Sequence, residues 1–343
     1  MLQQIIQKIV DRKNLTREEA FDAMEFIMKG EATPAQIAAY LVGLRMKGET
    51  PQEIAGCASS MRKNALPVDL GDHADAVDLV GTGGDGKHTF NISTVASLVV
   101  AGTGAPVAKH GNRSVSSKCG SADVLIELGV NLNLNNVQLS QCLQETGIAF
   151  LFAPMLHPAM KHAIGPRREI GVRSVFNILG PISNPAGVKR QLIGVYDKSL
   201  LRLLAEVLQQ LDSEHIMLVH SADGMDEISL AGETYVAELQ EGRIKEYQIS
   251  PKSFGLRPSD ASITGGDAKE NAEIAVDILQ GKSGPARDIV LANAAAGIYV
   301  AGRSEDLREG AALAANSIDS GAAMAKLKAL RDFTKNVNEP GRT

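Results

Sequence analysis

Val77-Asp-Leu-Val80-Gly81-Thr-Gly-Gly-Asp85-Gly86-Lys-His-Thr89-Phe-Asn91-Ile-Ser93-Thr94 runs from a short apolar strand, through a glycine-rich joint, toward a helix expected from about Val95. That succession is the unit from which α/β folds are built. Glycine tolerates positive φ and lets the backbone approach a bound group closely, while a helix start aims free N–H groups at an anion. The joint therefore reads as a ligand cradle; the plainer alternative is a tight turn that holds nothing. Taken as letters, Gly81-x-Gly83-x-x-Gly86 imitates a dinucleotide fingerprint, but where an acid should follow about 20 residues on the chain offers Lys109 and Arg113. Those cations suit the 2′-phosphate of NADP, which keeps a dehydrogenase as the second reading. Gly81-x-x-x-x-Gly86-Lys87 imitates an ATP-binding loop, yet His88 stands where a magnesium-binding Ser or Thr is required. An ATPase is excluded.

Outward from this joint the same texture continues. Further strands are expected at Pro106–Ala108, Ile148–Phe152, Leu192–Tyr196 and Ile216–His220, an antiparallel hairpin at Thr234–Leu239 and Ile244–Ile249, and mostly helix from there to about Phe333. Upstream, Thr16-Arg-Glu-Glu19, Thr33-Pro-Ala-Gln36 and Thr50-Pro-Gln-Glu53 are three capping boxes, so the first 65 or so residues read as a compact helical region, with Gly30 as a helix stop. The fold class expected is α/β: a small all-helical N-terminal domain, then a large domain with a central, mostly parallel sheet flanked by helices.

The length of 343 residues matches about two domains. A net charge of −5 gives no global attraction to nucleic acid or anionic lipid, so any anion binding must be local. Three widely spaced cysteines match neither a disulfide framework nor a zinc site, the N-terminus lacks a secretory apolar core, and no run of 18 apolar residues occurs. A cytoplasmic protein without a membrane span is expected.

Three other stretches carry chemistry. Residues 106–121 hold Lys109, Arg113 and Lys118 with no carboxylate, among Ser114, Ser116, Ser117 and Ser121, a local excess of positive charge suited to a polyphosphate or a phosphorylated sugar. Asp123 reads as a cap for a helix at Val124–Leu128. His110, between Lys109 and Gly111, is balanced between a structural histidine and a ligand contact. His157-Pro-Ala-Met-Lys161-His-Ala-Ile-Gly165-Pro166-Arg167-Arg168 presents an arginine after a Pro-Gly turn, a fork suited to a planar carboxylate. Ser221-Ala-Asp223-Gly-Met-Asp226-Glu227 gathers hard oxygens after a strand; it is either an acidic surface turn or a Mg²⁺ site shared with substrate phosphates. Asn177-Ile-Leu-Gly180-Pro181 has the residues of a connecting loop.

Gly81-Thr-Gly-Gly-Asp85, Asn91-Ile-Ser-Thr94, Lys109-His-Gly-Asn-Arg113, Ser116-Ser117, Gly120-Ser-Ala-Asp123, Arg167-Arg168-Glu-x-Gly-x-Arg173, Asn177-x-Leu-Gly-Pro181 and Asp226-Glu227 occur in the order found in the anthranilate phosphoribosyltransferases, which the chain closely resembles over nearly its whole length. Pyrimidine nucleoside phosphorylases share that architecture but carry a different basic loop. The resemblance implies attack of the anthranilate amine on C1 of 5-phosphoribosyl 1-pyrophosphate in tryptophan biosynthesis, with no covalent nucleophile. It implies a helical domain over 1–70, with segment 165–190 packing against it, a large domain over 73–343, and a homodimer joined through the helical domains. Gly81, Gly84, Asp85, Thr89, Asn91, Ile92, Ser93 and Thr94 would cradle the pyrophosphate and ribose, with Lys109, His110, Gly111, Asn112, Arg113, Ser114, Val115, Ser116, Ser117 and Ser121 completing the pocket. Ser93, Asp226 and Glu227 would serve two Mg²⁺ ions; Asn112 and Arg167 would hold anthranilate, with Gly81 and His110 nearby. Gly165-Pro166 departs from the pattern of many relatives just before Arg167. Relatives that bind nucleic acid instead should be basic, whereas this chain is acidic and has eight Phe, five Tyr and no Trp for stacking.

Overall fold

A computed structural model describes residues 1–113 and 118–337. The chain opens on helices α1 (Leu2–Val10), α2 (Arg17–Met28), α3 (Pro34–Lys47) and α4 (Pro51–Lys63). The capping boxes at Thr16, Thr33 and Thr50 are all formed: Glu19 N donates to Thr16 Oγ1 at 3.1 Å while Thr16 N donates to Glu19 Oε2 at 3.0 Å, and the other two repeat the exchange with Pro34 and Pro51 in the first turn. The third box is also a junction. Its Glu53 is buried and accepts from Leu15 N at 2.8 Å and Lys47 Nζ at 2.9 Å, so one carboxylate ties α4 to α3 and to the turn before α2.

The rest is α/β. Strands β1 (Val77–Gly81), β2 (Val107–Gly111), β3 (Ile148–Phe152), β4 (Arg190–Gly194), β5 (His215–Ser221), β6 (Thr234–Gln240) and β7 (Arg243–Ile249) form, among the described residues, one seven-stranded sheet in the order β3-β2-β1-β4-β5-β6-β7. The first five positions pair in parallel; β6 and β7 close the edge as the expected antiparallel hairpin. Between and after them lie α5 (Ile92–Gly102), α6 (Ser121–Glu127), α7 (Asn136–Thr146), α8 (Ala153–Leu156), α9 (Lys161–Ile170), α10 (Phe176–Leu179), α11 (Leu200–Gln210), α12 (Ala268–Leu279), α13 (Pro285–Val300), α14 (Leu307–Asp319) and α15 (Ala322–Asn336).

Both faces of the parallel strands β1 to β5 are buried, and the alternation of side chains separates two cores. Leu79, Leu192, Met217 and Val219 face a core built with α5, α13, α14 and α15. Ile193, Ile216, Leu218 and Leu239 face the other, which α11 shares with α1 to α4 and with Ala163, Phe176, Leu179 and Ile182. The N-terminal helices are thus part of the packing of one sheet face. Polar ties cross the same boundary, from Arg62 Nε to Ile182 O at 2.9 Å and from Arg17 Nη1 to Gln210 O at 3.1 Å. Gly30, at φ +75°, stops α2 and leaves room for α9, since a Cβ there would lie 2.5 Å from His162.

Several expected bounds move. Helix α5 starts at Ile92 rather than near Val95, and α6 at Ser121 rather than Val124. Asp123 therefore sits in the first turn of α6 and accepts from Gly120 N at 2.9 Å, the reach-back half of a capping box. Gly165 and Pro166 lie inside α9, so Arg167 belongs to the last turn of a helix and does not follow a turn.

Candidate active site

In this topology β1 sends the chain first to β2 and β3 on one side, after which it returns to β4 on the other. Ligands in open parallel sheets bind beyond the carboxyl ends of strands at such a reversal. The strand ends here deliver Gly81, Gly111 and the loop after Ser221. Gly81 and Gly194 are directly paired across β1 and β4, and both leave room for Asp226. A Cβ on Gly81 would stand 2.6 Å from Asp226 Oδ2, and one on Gly194 would stand 1.5 Å from the Asp226 carbonyl oxygen. The acidic loop is seated in a slot cut by two missing side chains.

Asp226 then organises the glycine joint. Gly83 N donates to Asp226 Oδ2 at 2.7 Å, and Asp226 N donates to Asp85 Oδ2 at 3.4 Å. From the next residue, Glu227 Oε1 accepts from Ser93 N at 3.2 Å, at the free N–H end of α5. Ser93 Oγ is in turn 3.4 Å from Lys109 Nζ, which also donates to the Leu79 carbonyl. Residues from four separate stretches, near 81–85, 93, 109 and 226–227, thereby meet in one polar cluster.

The cluster is electrostatically strained. Burial, then repulsion from Asp85, pushes the Asp226 carboxyl up to about 7; burial, then Asp226, pushes Glu227 up to about 8. Burial also lowers the Lys109 ammonium, against the pull of Asp78 and Glu227. Hard oxygens that resist ionising together fit a divalent cation, whose charge would offset their repulsion. Among the described residues no three His, Cys, Asp or Glu side chains already form a metal cage. A Mg²⁺ ion that takes one or two carboxylates and completes its shell with water and substrate phosphate needs none.

The remaining expected residues divide by what they touch. Gly84, at φ +78°, forms the crest of the joint with Asp85, whose Oδ1 accepts from Lys87 N at 3.0 Å. Thr89 bridges to Thr264. The Asn91 side chain is engaged with Cys119 and Asn271, and Ile92 points into the core, so Ile92 offers a ligand only backbone. Thr94 Oγ1 is buried without a hydrogen-bond partner among the described residues. At Gly111 a Cβ would lie 2.5 Å from Ser121 Oγ, which donates to Asn112 O at 3.1 Å and closes the basic loop on α6. Asn112 Oδ1 accepts from Arg113 N at 2.7 Å, and exposed Arg113 stands 4.0 Å from Asp123. Ser114, Val115, Ser116 and Ser117 lie outside the described residues. Arg167 is partly buried and stacks on the Phe176 ring at 4.8 Å, on the helix that packs against α2 and α3.

Some contributors were not identified from the sequence. Asp78, inside β1, accepts from His110 N at 3.1 Å, Asn184 Nδ2 at 2.9 Å and Gln191 Nε2 at 3.3 Å, and its charge faces Lys109. His157 lies 5.2 Å, ring to ring, from His110. Burial takes the imidazoles down to about 4 and about 3, so both are neutral, and both Nε2 atoms lack a protein partner among the described residues. A lone carboxylate in an apolar strand was the available signal for Asp78; Gly194 and His157 gave none.

Comparison with known proteins supplies an independent line. Residues 73–324 match the glycosyl transferase family a/b domain, and residues 3–65 match that family's helical bundle domain. The chain is 53% identical to the anthranilate phosphoribosyltransferase of Moorella thermoacetica, over 96% of this chain and 97% of that protein. It is 54% identical to that of Rhodopseudomonas palustris strain CGA009, over 95% and 96%. The crystal structure of the Thermus thermophilus enzyme superposes with a TM-score of 0.92 at 41% identity, covering 96% of this chain and 99% of that one. The Saccharomyces cerevisiae enzyme in complex with PRPP and Mg gives 0.90 at 28% identity, with 98% of each chain covered.

Proposed function

The chain belongs to the anthranilate phosphoribosyltransferase family of glycosyl transferases, and on that premise we propose how its cleft performs the family's reaction in tryptophan biosynthesis. The phosphoribosyl group of 5-phosphoribosyl 1-pyrophosphate passes to the amine of anthranilate, giving N-(5-phosphoribosyl)anthranilate and pyrophosphate. The observation that carries the reading is the junction of Lys109, Ser93, Asp226 and Glu227 beneath the glycine joint.

The bond from C1 to the pyrophosphate oxygen breaks as positive charge develops on the ribose and negative charge on the leaving group. Stabilising the leaving group matters more than supplying a nucleophile. The N–H groups of the joint and of the first turn of α5, with Lys109, face that charge. Gly81, Gly84, Asp85, Thr89, Asn91, Ser93 and Thr94, with the loop from Lys109 and with Ser121, hold pyrophosphate and ribose, and Ile92 contributes through its backbone. Ser93, Asp226 and Glu227 are the residues that would hold magnesium, two ions in this proposal; bound there, it supplies charge neutralisation at the pyrophosphate oxygens. Arg167 and Asn112 take the anthranilate carboxylate and orient the ring, with Gly81 and His110 beside it. The aromatic amine is neutral at pH 7, so positioning replaces a strong general base.

The finer assignments are part of the same proposal. Residues 1–70 form the helical domain, against which segment 165–190 packs, and 73–343 the large one. Two copies join through the helical domains, where Met1, Val10 and Met46 are exposed. A cytoplasmic setting goes with the wide sequence spacing and burial of Cys57, Cys119 and Cys142. The test is acceptor-dependent pyrophosphate release from 5-phosphoribosyl 1-pyrophosphate. Anthranilate should drive it and benzoate, which lacks the amine, should not; release at one rate with either compound would overturn the assignment.

A further inference from the structure

The segment leaving α9 carries an arginine that the reaction as described leaves without a task. Arg173 follows the helix stop at Gly171, which has φ +61°. Its side chain crosses to the glycine joint, where Nη2 donates to the Gly84 carbonyl oxygen. The guanidinium lies over the Tyr196 ring at 4.1 Å. Tyr196 is itself tied to the joint, since its N–H donates to Thr82 Oγ1 at 3.0 Å, and Thr82 N donates to Gly194 O at 2.9 Å.

These contacts fix the joint from two directions. Asp226 grips the Gly83 N–H from the metal side, and Arg173 grips the Gly84 carbonyl from the acceptor side. Gly83 and Gly84, at φ +65° and +78°, have many other conformations available when unrestrained. In a trans peptide the C=O and N–H point in opposite directions. Drawing the Gly84 carbonyl toward Arg173 therefore turns the Asp85 N–H away from it. Arg173 also stands only six residues beyond Arg167, on the same short segment.

We propose that Arg173, braced on the Tyr196 ring, is a positioning residue: it sets the Gly84 peptide for the donor pyrophosphate. The proposal rests on the assignment of the joint to the donor given above. A planar guanidinium can stack and donate at once, which an ammonium cannot reproduce.

Steady-state kinetics on the full-length protein, with thermal melts to confirm folding, test it. Arg173→Ala should raise the KM for 5-phosphoribosyl 1-pyrophosphate on the order of ten- to a hundredfold, with the KM for anthranilate changed by less than about threefold. Arg173→Lys should recover only part of the loss. Tyr196→Leu should move the same constant in the same direction, and Tyr196→Phe, which keeps the ring, should lose less. An unchanged donor KM in Arg173→Ala, a rise confined to anthranilate, or equal losses in the two Tyr196 variants would overturn the proposal. Calorimetric titration with the donor and Mg²⁺ reads the same affinity without turnover. A wild-type chain whose donor binding depends on Arg173 but which never consumes anthranilate would overturn the functional reading alone.

Discussion

Asp78 is one of three buried carboxyls, with Asp226 and Glu227, through which the cleft's architecture becomes a pH dependence. Burial, partly opposed by Lys109 and three hydrogen bonds, raises its carboxyl from the ordinary 3.8 to about 6. Between those values the folded chain keeps a proton that the unfolded chain has released, so stability falls as pH rises through the window, by at most roughly 3 kcal/mol. Asp78→Asn removes the titration; melts between pH 4 and pH 7 should show a constant offset from the lost acceptor and a flatter slope than the wild type. If the proposed magnesium site is right, Asp226→Asn and Glu227→Gln should each raise the Mg²⁺ concentration needed for half-maximal rate and lower turnover, and unchanged Mg²⁺ titrations in both would sink that role. Lys109, Ser93, Asp226 and Glu227 drew notice in the sequence because charge and hydroxyl stand out near glycine, and the structure brings them together. Gly194 did not, because its reason for being glycine lies 32 residues away, in the carbonyl of Asp226. Gly194→Ala should therefore abolish activity while leaving a folded protein, as read by rate assay and circular dichroism.

Among the elements, the helix starts were the most legible because a capping box is a local device. Thr16→Ala and Thr33→Ala should each cost about 1 kcal/mol in urea unfolding. Glu53→Gln should cost more, since its carboxylate also serves Leu15 and Lys47 inside the bundle. The misplaced starts have a common cause. Asn91, Ser93 and Thr94 read as loop because they are polar, but Asn91 and Ser93 take their side chains into polar networks while Ile92 enters the core, so helix and polarity coexist. In α9, Gly165-Pro166 reads as a turn, yet Ala163 and Pro166 are buried and packing carries the helix through them. Local propensity yields to tertiary burial there.

At the scale of the whole molecule, the helical and α/β parts share an apolar core that reaches from Leu2 to Leu239. The sequence showed two textures and the strand order could not be read from it, because pairing between β1 and β4 joins stretches more than a hundred residues apart. One cooperative thermal transition is expected for the protein, and a separate early melting of the N-terminal helices would show that this shared core contributes little. On the proposed reading, the glycine joint, Lys109 and the acidic pair form one donor site whose acceptor is anthranilate. The loss of anthranilate fluorescence on mixing with 5-phosphoribosyl 1-pyrophosphate and Mg²⁺, repeated with EDTA, tests it most directly. The expected result is a loss that requires both substrates and stops when the chelator is added. Fluorescence that stays constant with folded protein would contradict the claim.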